Sequence, residues 1–177
     1  WQEFGTAGNV DFIIKNLEQA AADLSKGLIN SAYLHGGKGW DYNQSEFVAP
    51  ITVKTGYNFW NQKIGNKDFG AGVDCSGLIM WSYDRSFDPL RPRFKNFVKA
   101  EGADEQYIYN TTSITESQLK PGDVMFFDWD SNGFIDHVAM YVGESGGYDV
   151  VNARSRELGI RGMAKDILKE LPGFVTF

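Results

Sequence analysis

Apolar residues recur along the chain in two patterns, one helical and early, the other strand-like and late. Between positions 10 and 30 they follow three- and four-residue spacing, which predicts an amphipathic helix with Asn9 as its N-cap. From Cys75 to about Phe87 the first turns are apolar nearly all round, so we expect a buried helix capped by Asp74. The apolar positions of the first helix are Val10, Ile13, Ile14, Leu17, Ala20, Ala21, Leu24 and Leu28.

After Pro121 the pattern changes to short runs rich in β-branched and aromatic residues. The runs "DVMFFDW", "HVAMYVG", "YDVVNAR" and "GFVTF" are separated by turn signals, which predicts consecutive antiparallel strands. Short helices are expected over 94–100 and 164–171. Helices that come first and strands that come last indicate an α+β fold with an antiparallel sheet.

Length and composition fit one globular domain over residues 1–177. The stretch 38–73 is polar, aromatic and without period, and it is interpreted as a long irregular insertion. A net charge of −6 without a basic block argues against nucleic acid as a partner. No apolar run reaches the ~18 residues of a membrane span. Because the chain begins at Trp1, we expect a processed or trimmed product.

Cys75 is the one cysteine of the chain, so no disulfide can form within it. A helix N-terminus lowers thiol pKa values, and its backbone N–H groups can donate to an oxyanion. Asp74 and Cys75 therefore open a helix at a place where a thiol can be activated, and Ser76 and Gly77 keep that turn small. The alternative is a packing cysteine without chemistry.

His137 and Asn152 supply a candidate base and its orienting partner. His137 opens an apolar strand, and Asn152 lies within the next one, beyond an "ESGG" turn. We expect the hairpin to bring them roughly opposite each other, so that the amide oxygen accepts one imidazole N–H. Asp149 competes for this role, but strand alternation turns it to the other face. A satisfied structural histidine is the alternative interpretation.

Four motifs in order resemble the NlpC family of papain-like cysteine peptidases, which are bacterial cell-wall hydrolases. They are "YLHGG" at 33–37, "DCSG" at 74–77, "PGDVMFF" at 121–127 and "HVAMYVG" at 137–143. The resemblance covers about residues 28–155. It implies a papain-like α+β fold, with the nucleophile at the start of a buried helix packed on an antiparallel sheet.

The resemblance also implies roles for individual residues. Cys75 matches the nucleophile, His137 the general base, and Asn152 the third polar position. The positions expected to contact substrate are Tyr33, His35, Asp74 and Ser76. His35 stands where the family often has an aromatic residue and is interpreted as a pocket wall, and the insertion at 38–73 as a wall or lid of the cleft.

The activity that the resemblance implies is amide hydrolysis in peptidoglycan stem peptides, commonly between D-glutamate and a diamino acid. The chemistry needs no cofactor, and the expected location is bacterial, either secreted or periplasmic and wall-associated. An inhibitor or targeting domain would lie outside this chain. Arg154, like Arg156 and Arg161, follows Asn152 and is a candidate to bind free carboxylates of stem peptides, with simple surface solvation as the alternative.

Residues 128–137, "DWDSNGFIDH", follow part of a calcium-loop pattern. Oxygen ligands on alternate residues with a glycine at the sharp turn suit a hard cation. The twelfth position is Ala139, so the usual glutamate is missing, and a hairpin with an Asn-Gly turn is the alternative. A calcium ion here would be structural. Its predicted ligands are Asp128, Asp130, Asn132, Phe134 and Asp136.

Two other functions stay open on the sequence alone. One is an amidase or acyltransferase with the same three residues and another acyl substrate. The other is an inactive wall-binding module, against which the presence of all three residues argues.

Overall fold

A computed structural model describes residues 7–31, 33–37, 73–87, 102–155 and 158–177. For residues 7–16 it describes the backbone alone. The predicted helix over 94–100, Arg156 and residues 38–72 of the predicted insertion lie outside the described residues. Within the described part of the chain, no helix combines the length and apolarity needed to span a bilayer.

The two long helices among the residues that the structure describes are α1, Ala7–Gly27, and α2, Cys75–Phe87. The bounds of α2 are those that the sequence predicts. The N-cap prediction for α1 was wrong: Asn9 already has helical backbone, and an N-cap residue must be non-helical.

Two shorter helices follow. α3, Ala103–Asn110, was not predicted, because "ADEQYIYN" has no clear apolar period. α4, Lys165–Lys169, lies within the predicted 164–171. Its first backbone N–H, that of Lys165, donates to Asp149 Oδ1.

Within the described residues, five strands form one antiparallel sheet in the order β4-β3-β2-β1-β5. The strands are β1 Val124–Phe127, β2 His137–Ser145, β3 Tyr148–Ser155, β4 Gly159–Met163 and β5 Phe174–Thr176. β4 was not predicted, because a five-residue run with two glycines gives a weak strand signal.

Two connections hold β2, β3 and β4 in place. β2 and β3 turn at Gly146 and Gly147, whose φ values of 56° and 94° suit a two-residue turn. At the edge of the sheet β4 is joined to the segment after α1, since Ile160 N donates to Ser31 O and Asn30 N donates to Ile160 O.

The core has two parts, on the two faces of the sheet. Alternation along β2 sends Val138, Met140 and Val142 to one part and Ala139 to the other. The first part includes Cys75 and most of the buried apolar residues of α1 and α2, and the second includes Leu168 of α4 and the terminal Phe177. Helices packed on an antiparallel sheet in this way confirm the predicted α+β class.

Candidate active site

The first turn of α2 is capped by Asp74, as predicted. Asp74 Oδ1 accepts the backbone N–H of Gly77 at 2.6 Å and the hydroxyl of Ser76 at 3.1 Å. Its other oxygen, Oδ2, accepts the N–H of Gly36 at 3.0 Å. One carboxylate that is only 7% exposed therefore ties the turn at 34–37 to the start of α2.

Two glycines of the motifs pack directly against each other. A Cβ atom at Gly77 would lie 2.0 Å from the carbonyl oxygen of Gly37. No side chain fits at that distance, so only glycine allows the turn to approach the helix. Asp74 N donates to the same Gly37 oxygen at 2.9 Å, and Tyr33 pairs with Val73 in an isolated bridge. "YLHGG" and "DCSG" thus form one local structure, with Cys75 buried at its edge.

His137 and Asn152 meet across the β2–β3 hairpin. The distance between His137 Nε2 and Asn152 Oδ1 is 2.7 Å, and both side chains are buried. Asn152 Nδ2 donates to the sulfur of Met163 at 3.5 Å, which leaves the amide oxygen to face the ring. Nε2 then carries the proton and donates a hydrogen bond to Oδ1, so Nδ1 is the nitrogen able to exchange a proton with a thiol.

The pairing is diagonal rather than opposite. Met140 pairs with Val151, so the same register places Asn152 across from Ala139 and Arg154 across from His137. Residues two apart on a strand share a face, and a long side chain reaches the diagonal neighbour. Asn152 therefore reaches His137 along the strand, and Arg154 lies beside the ring.

The imidazole of His137 is covered by an indole that the sequence did not single out. Trp129 stacks on it with ring centroids 4.4 Å apart and an interplanar angle of 20°, while Phe127 lies at 5.7 Å. Burial lowers the pKa of His137 to about 4, although the hydrogen bond to Asn152 and the charge of Asp74 act in the opposite direction. No pattern in the sequence indicates this stacking, which depends on the path of the loop before β2.

The remaining predicted residues separate into those near His137 and those away from it. The positive charge of Arg154 lowers the pKa of His137, and its Nη1 lies 4.0 Å from the sulfur of Met163. Arg161 instead donates to Leu158 O and to Asn30 Oδ1 at the far edge of the sheet. His35 is exposed in the turn at 34–37.

The predicted calcium loop is a nine-residue connection, 128–136, between β1 and β2. Asp128 accepts the N–H groups of Asn132 and Gly133, and Asp136 accepts that of Trp129. Asn132 Oδ1 accepts Phe134 N, and the Phe134 side chain is exposed. The connection is longer than a two-residue Asn-Gly hairpin, with Ser131 rather than Asn132 at positive φ.

Three carboxylates of this loop converge. One oxygen from each of Asp128, Asp130 and Asp136 lies within 4.8 Å of the others. Oxygen ligands at such spacing are compatible with a hard cation, but exposed acidic groups are common without one. Calcium at this loop stays a prediction.

Two side chains of α3 reach the site, and no sequence pattern indicated either of them. Gln106 Nε2 donates to the carbonyl of Ser76 at 3.0 Å. Asp104 Oδ1 accepts the N–H of Ile135 at 2.9 Å, two residues before His137. Both were missed because α3 itself was missed.

The fold and these residues define a papain-like α+β domain with a helix-borne cysteine and a strand-borne His–Asn pair. The sequence profile of the NlpC/P60 family matches residues 31–171. The chain therefore belongs to the NlpC/P60 family.

Relatives in bacteria carry endopeptidase names. The chain is similar to the murein DD-endopeptidase MepH of Escherichia coli, with 30% identity over 54% of this chain and 32% of the relative. It is 32% identical to the probable endopeptidase YafL of the same organism, over 41% of this chain and 26% of the relative. The probable endopeptidase p60 of Listeria innocua is 42% identical, over 46% of this chain and 14% of the relative. The matched regions thus cover a third or less of these three relatives.

Solved structures share the fold. NlpC2 from Trichomonas vaginalis superposes with a TM-score of 0.54 at 20% identity, over 100% of this chain and 47% of that one. The NlpC/p60 domain of the peptidoglycan hydrolase SagA superposes with a TM-score of 0.52 at 20% identity, over 90% of this chain and 97% of that domain.

Proposed function

We propose that this protein is a cysteine peptidase that hydrolyses amide bonds in peptidoglycan stem peptides. The observation that carries the proposal is the buried His137–Asn152 pair, with Nε2 and Oδ1 2.7 Å apart, in a fold that also places a buried cysteine at a capped helix N-terminus. The endopeptidase names of its relatives support a wall substrate. The protein would act where the wall is, outside the cytoplasmic membrane.

In the proposed mechanism, Cys75 attacks the amide carbonyl carbon and passes its proton to Nδ1 of His137. The imidazolium then protonates the leaving amine as the C–N bond breaks, which leaves a thioester on the cysteine. A water molecule attacks this thioester while His137 accepts its proton, and the thiol is regenerated. Backbone N–H groups of the first turn of α2 would stabilise the oxyanion in both steps.

The lowered pKa of His137 keeps the ring neutral at neutral pH, and it also makes the ring a weaker base for the thiol proton. A ring that is neutral at neutral pH can accept the thiol proton, whereas an imidazolium cannot. Asn152 keeps the proton on Nε2, which leaves the Nδ1 lone pair for the thiol.

The proposed scissile bond joins D-glutamate to a diamino acid. The name of MepH, a DD-endopeptidase, makes the D,D cross-link between stem peptides the competing bond. Tyr33, Ser76 and His35 are proposed to line the acyl side of the cleft. Arg154, beside the imidazole, would bind a carboxylate on the leaving-group side, because the imidazolium delivers its proton to that side.

The test is mass spectrometry of purified peptidoglycan digested with the wild-type protein and with Cys75→Ala. We expect new amino termini on the diamino acid with the wild type and none with the variant. Release of cross-linked dimers as monomers, with the D-glutamyl bond intact, would assign the D,D bond instead.

Folding of Cys75→Ala must be checked by circular dichroism, since Cys75 packs in the core. No fragments from a folded wild-type protein would reject a wall peptidase and favour another acyl substrate or a binding role. Because the chain has one cysteine, loss of activity on stoichiometric alkylation also reports on Cys75 alone.

A further inference from the structure

α3 lies between the two halves of the candidate site and makes a side-chain hydrogen bond to each. Gln106 donates to the carbonyl of Ser76, next to Cys75, and Asp104 accepts from the backbone of Ile135, two residues before His137. The two residues are separated by one position on the same helix. A short rigid element therefore connects the first turn of α2, which carries Cys75, to the loop 128–136, which precedes His137.

The hydrogen bond from Gln106 is made to the peptide unit between Ser76 and Gly77, whose N–H is already bound by Asp74. The carbonyl of Ser76 and the N–H of Gly77 belong to one planar peptide. Gln106 Nε2 donates to that carbonyl at 3.0 Å, and Asp74 Oδ1 accepts that N–H at 2.6 Å. Because both polar atoms are engaged, the peptide cannot rotate without breaking one of the two bonds. Gln106 is 2% exposed, so water cannot replace its side chain.

The bond from Asp104 acts on the other half of the site. Ile135 is buried in the first core cluster, and its N–H donates to Asp104 Oδ1 at 2.9 Å. The following residue, Asp136, accepts the N–H of Trp129, whose indole stacks on His137. Asp104 therefore holds the end of the loop from which His137 begins.

α3 is itself packed against the sheet. It can therefore fix the positions of the two segments that Gln106 and Asp104 contact, instead of moving with them. The ring of Tyr107 packs edge-on against Phe126 of β1 at 5.2 Å, and Ala103 is buried in the first core cluster. A helix anchored in this way keeps the carboxylate of Asp104 and the amide of Gln106 at a constant separation.

We propose that α3 sets the separation of Cys75 and His137, and that Gln106 and Asp104 are positioning residues for the proton transfer between them. The inference rests on the proposed thiol–imidazole chemistry. Proton transfer needs the two groups within hydrogen-bond reach, and a displacement of about 1 Å at a reacting group can cost on the order of 100-fold in rate.

The test uses alkylation of Cys75 by iodoacetamide, which needs no knowledge of the substrate and labels one thiol only. A thiol next to a neutral imidazole can pass its proton to the ring as it is alkylated, so below the ordinary thiol pKa of about 8.5 it reacts faster than an isolated thiol. We expect Gln106→Met, which keeps the shape but not the donor, to slow alkylation at pH 6 by about tenfold. Its pH profile should move toward that of an ordinary thiol.

Asp104 supplies the second arm of the test. Asp104→Ala should slow alkylation in the same direction, and Asp104→Asn, which keeps an oxygen acceptor, should restore most of the rate. The matched control is Tyr109→Ala on the same helix, a side chain that is 71% exposed, which should leave the profile unchanged. The Asp104 pair decides the question if Gln106→Met does not fold.

A merely structural role would lower the melting temperature of these variants and leave the alkylation profile of the folded protein as in the wild type, which would overturn the inference. An ordinary-thiol profile in the wild type would overturn it as well, since no thiol–imidazole pair would then exist to be positioned. Failure to cleave peptidoglycan, with the variant effects intact, would reject the proposed substrate and leave the role of α3 standing.

Discussion

The site has a nucleophile arm, which is the first turn of α2 with Asp74, and a base arm, which is the loop 128–136 with His137. In both arms aspartates accept backbone N–H groups, but these aspartates differ in burial. On the nucleophile arm, Asp74 accepts two backbone N–H groups and a hydroxyl while it is 7% exposed. On the base arm, aspartates of the loop 128–136 also accept backbone N–H groups, but the side chains of Asp130 and Asp136 are exposed to solvent.

This difference in burial decides whether water can replace a lost acceptor. A buried N–H without its acceptor costs about 1–3 kcal/mol, whereas an exposed one can turn to water. The nucleophile arm is therefore fixed by its hydrogen bonds. The base arm is fixed mainly by packing, because the ring of His137 packs against Phe127 and Trp129. Its hydrogen bond to Asn152 adds to this packing.

The strongest way to break this comparison is Asp74→Ala. The change leaves the N–H of Gly77 and the hydroxyl of Ser76, both in buried residues, without their acceptor, and we expect the free energy of unfolding to fall by about 3 kcal/mol. Urea denaturation followed by circular dichroism measures it. A loss below about 1 kcal/mol would show that water reaches the first turn of α2 and that the two arms do not differ.

Acid should act on the base arm through His137. Its folded-state pKa of about 4 lies below the ordinary histidine pKa of 6.5, so the unfolded chain takes up the proton first. Stability from the neutral ring is complete above pH 6.5 and is lost as the pH falls toward 4, by about 3 kcal/mol at 1.36 kcal/mol per pKa unit.

The measurement for this prediction is denaturation of the wild type and of His137→Gln at several pH values. The difference between the two proteins isolates the ring from the other titrating groups. It should grow in favour of the variant as the pH falls through this range, and a constant difference would contradict the lowered pKa.

Asn152→Ala tests the polar contact within the base arm. Without the amide oxygen, the ring loses the partner that fixes its tautomer, so we expect kcat to fall by about 10- to 100-fold with little change in KM. Asn152→Gln is the control that keeps an amide. Equal losses in both variants would mean that packing at position 152, rather than the acceptor, is required.

Trp129→Ala tests the packing of the same arm. Removal of the indole exposes the imidazole to water, so the pKa of His137 should rise toward its ordinary value and the acid limb of kcat/KM should move to higher pH. Trp129→Phe should give a smaller change. NMR titration is practical because the chain has two histidines, and His35→Gln assigns the signals. An unmoved His137 titration would rule out shielding by Trp129.

The smallest effect is expected at the aspartates of the loop 128–136. Asp128→Asn keeps one acceptor oxygen, so the melting temperature without added metal should change by less than about 3 °C. If the loop binds calcium, millimolar calcium raises the melting temperature of the wild type, and Asp128→Asn weakens that response. Equal melting temperatures with calcium and with a chelator would reject the ion.

Sequence patterns predicted the elements whose signal is local. α2 began at the predicted residue, because an aspartate N-cap and an apolar run both mark the same position. β4 and α3 were missed, since two glycines in one and an irregular apolar pattern in the other give no local signal. β4 forms by pairing with β3 and with residues 30 and 31, and α3 is anchored by Phe126.

The sequence by itself determined the fold class, the family and which cysteine and histidine stand at element starts, because caps, periods and motifs depend on near neighbours along the chain. Only the tertiary structure decided what surrounds His137. The diagonal contact from Asn152, the indole of Trp129 and the two bonds from α3 join positions far apart in sequence or depend on the path of a loop. Such contacts follow from packing and strand register, which no local pattern encodes.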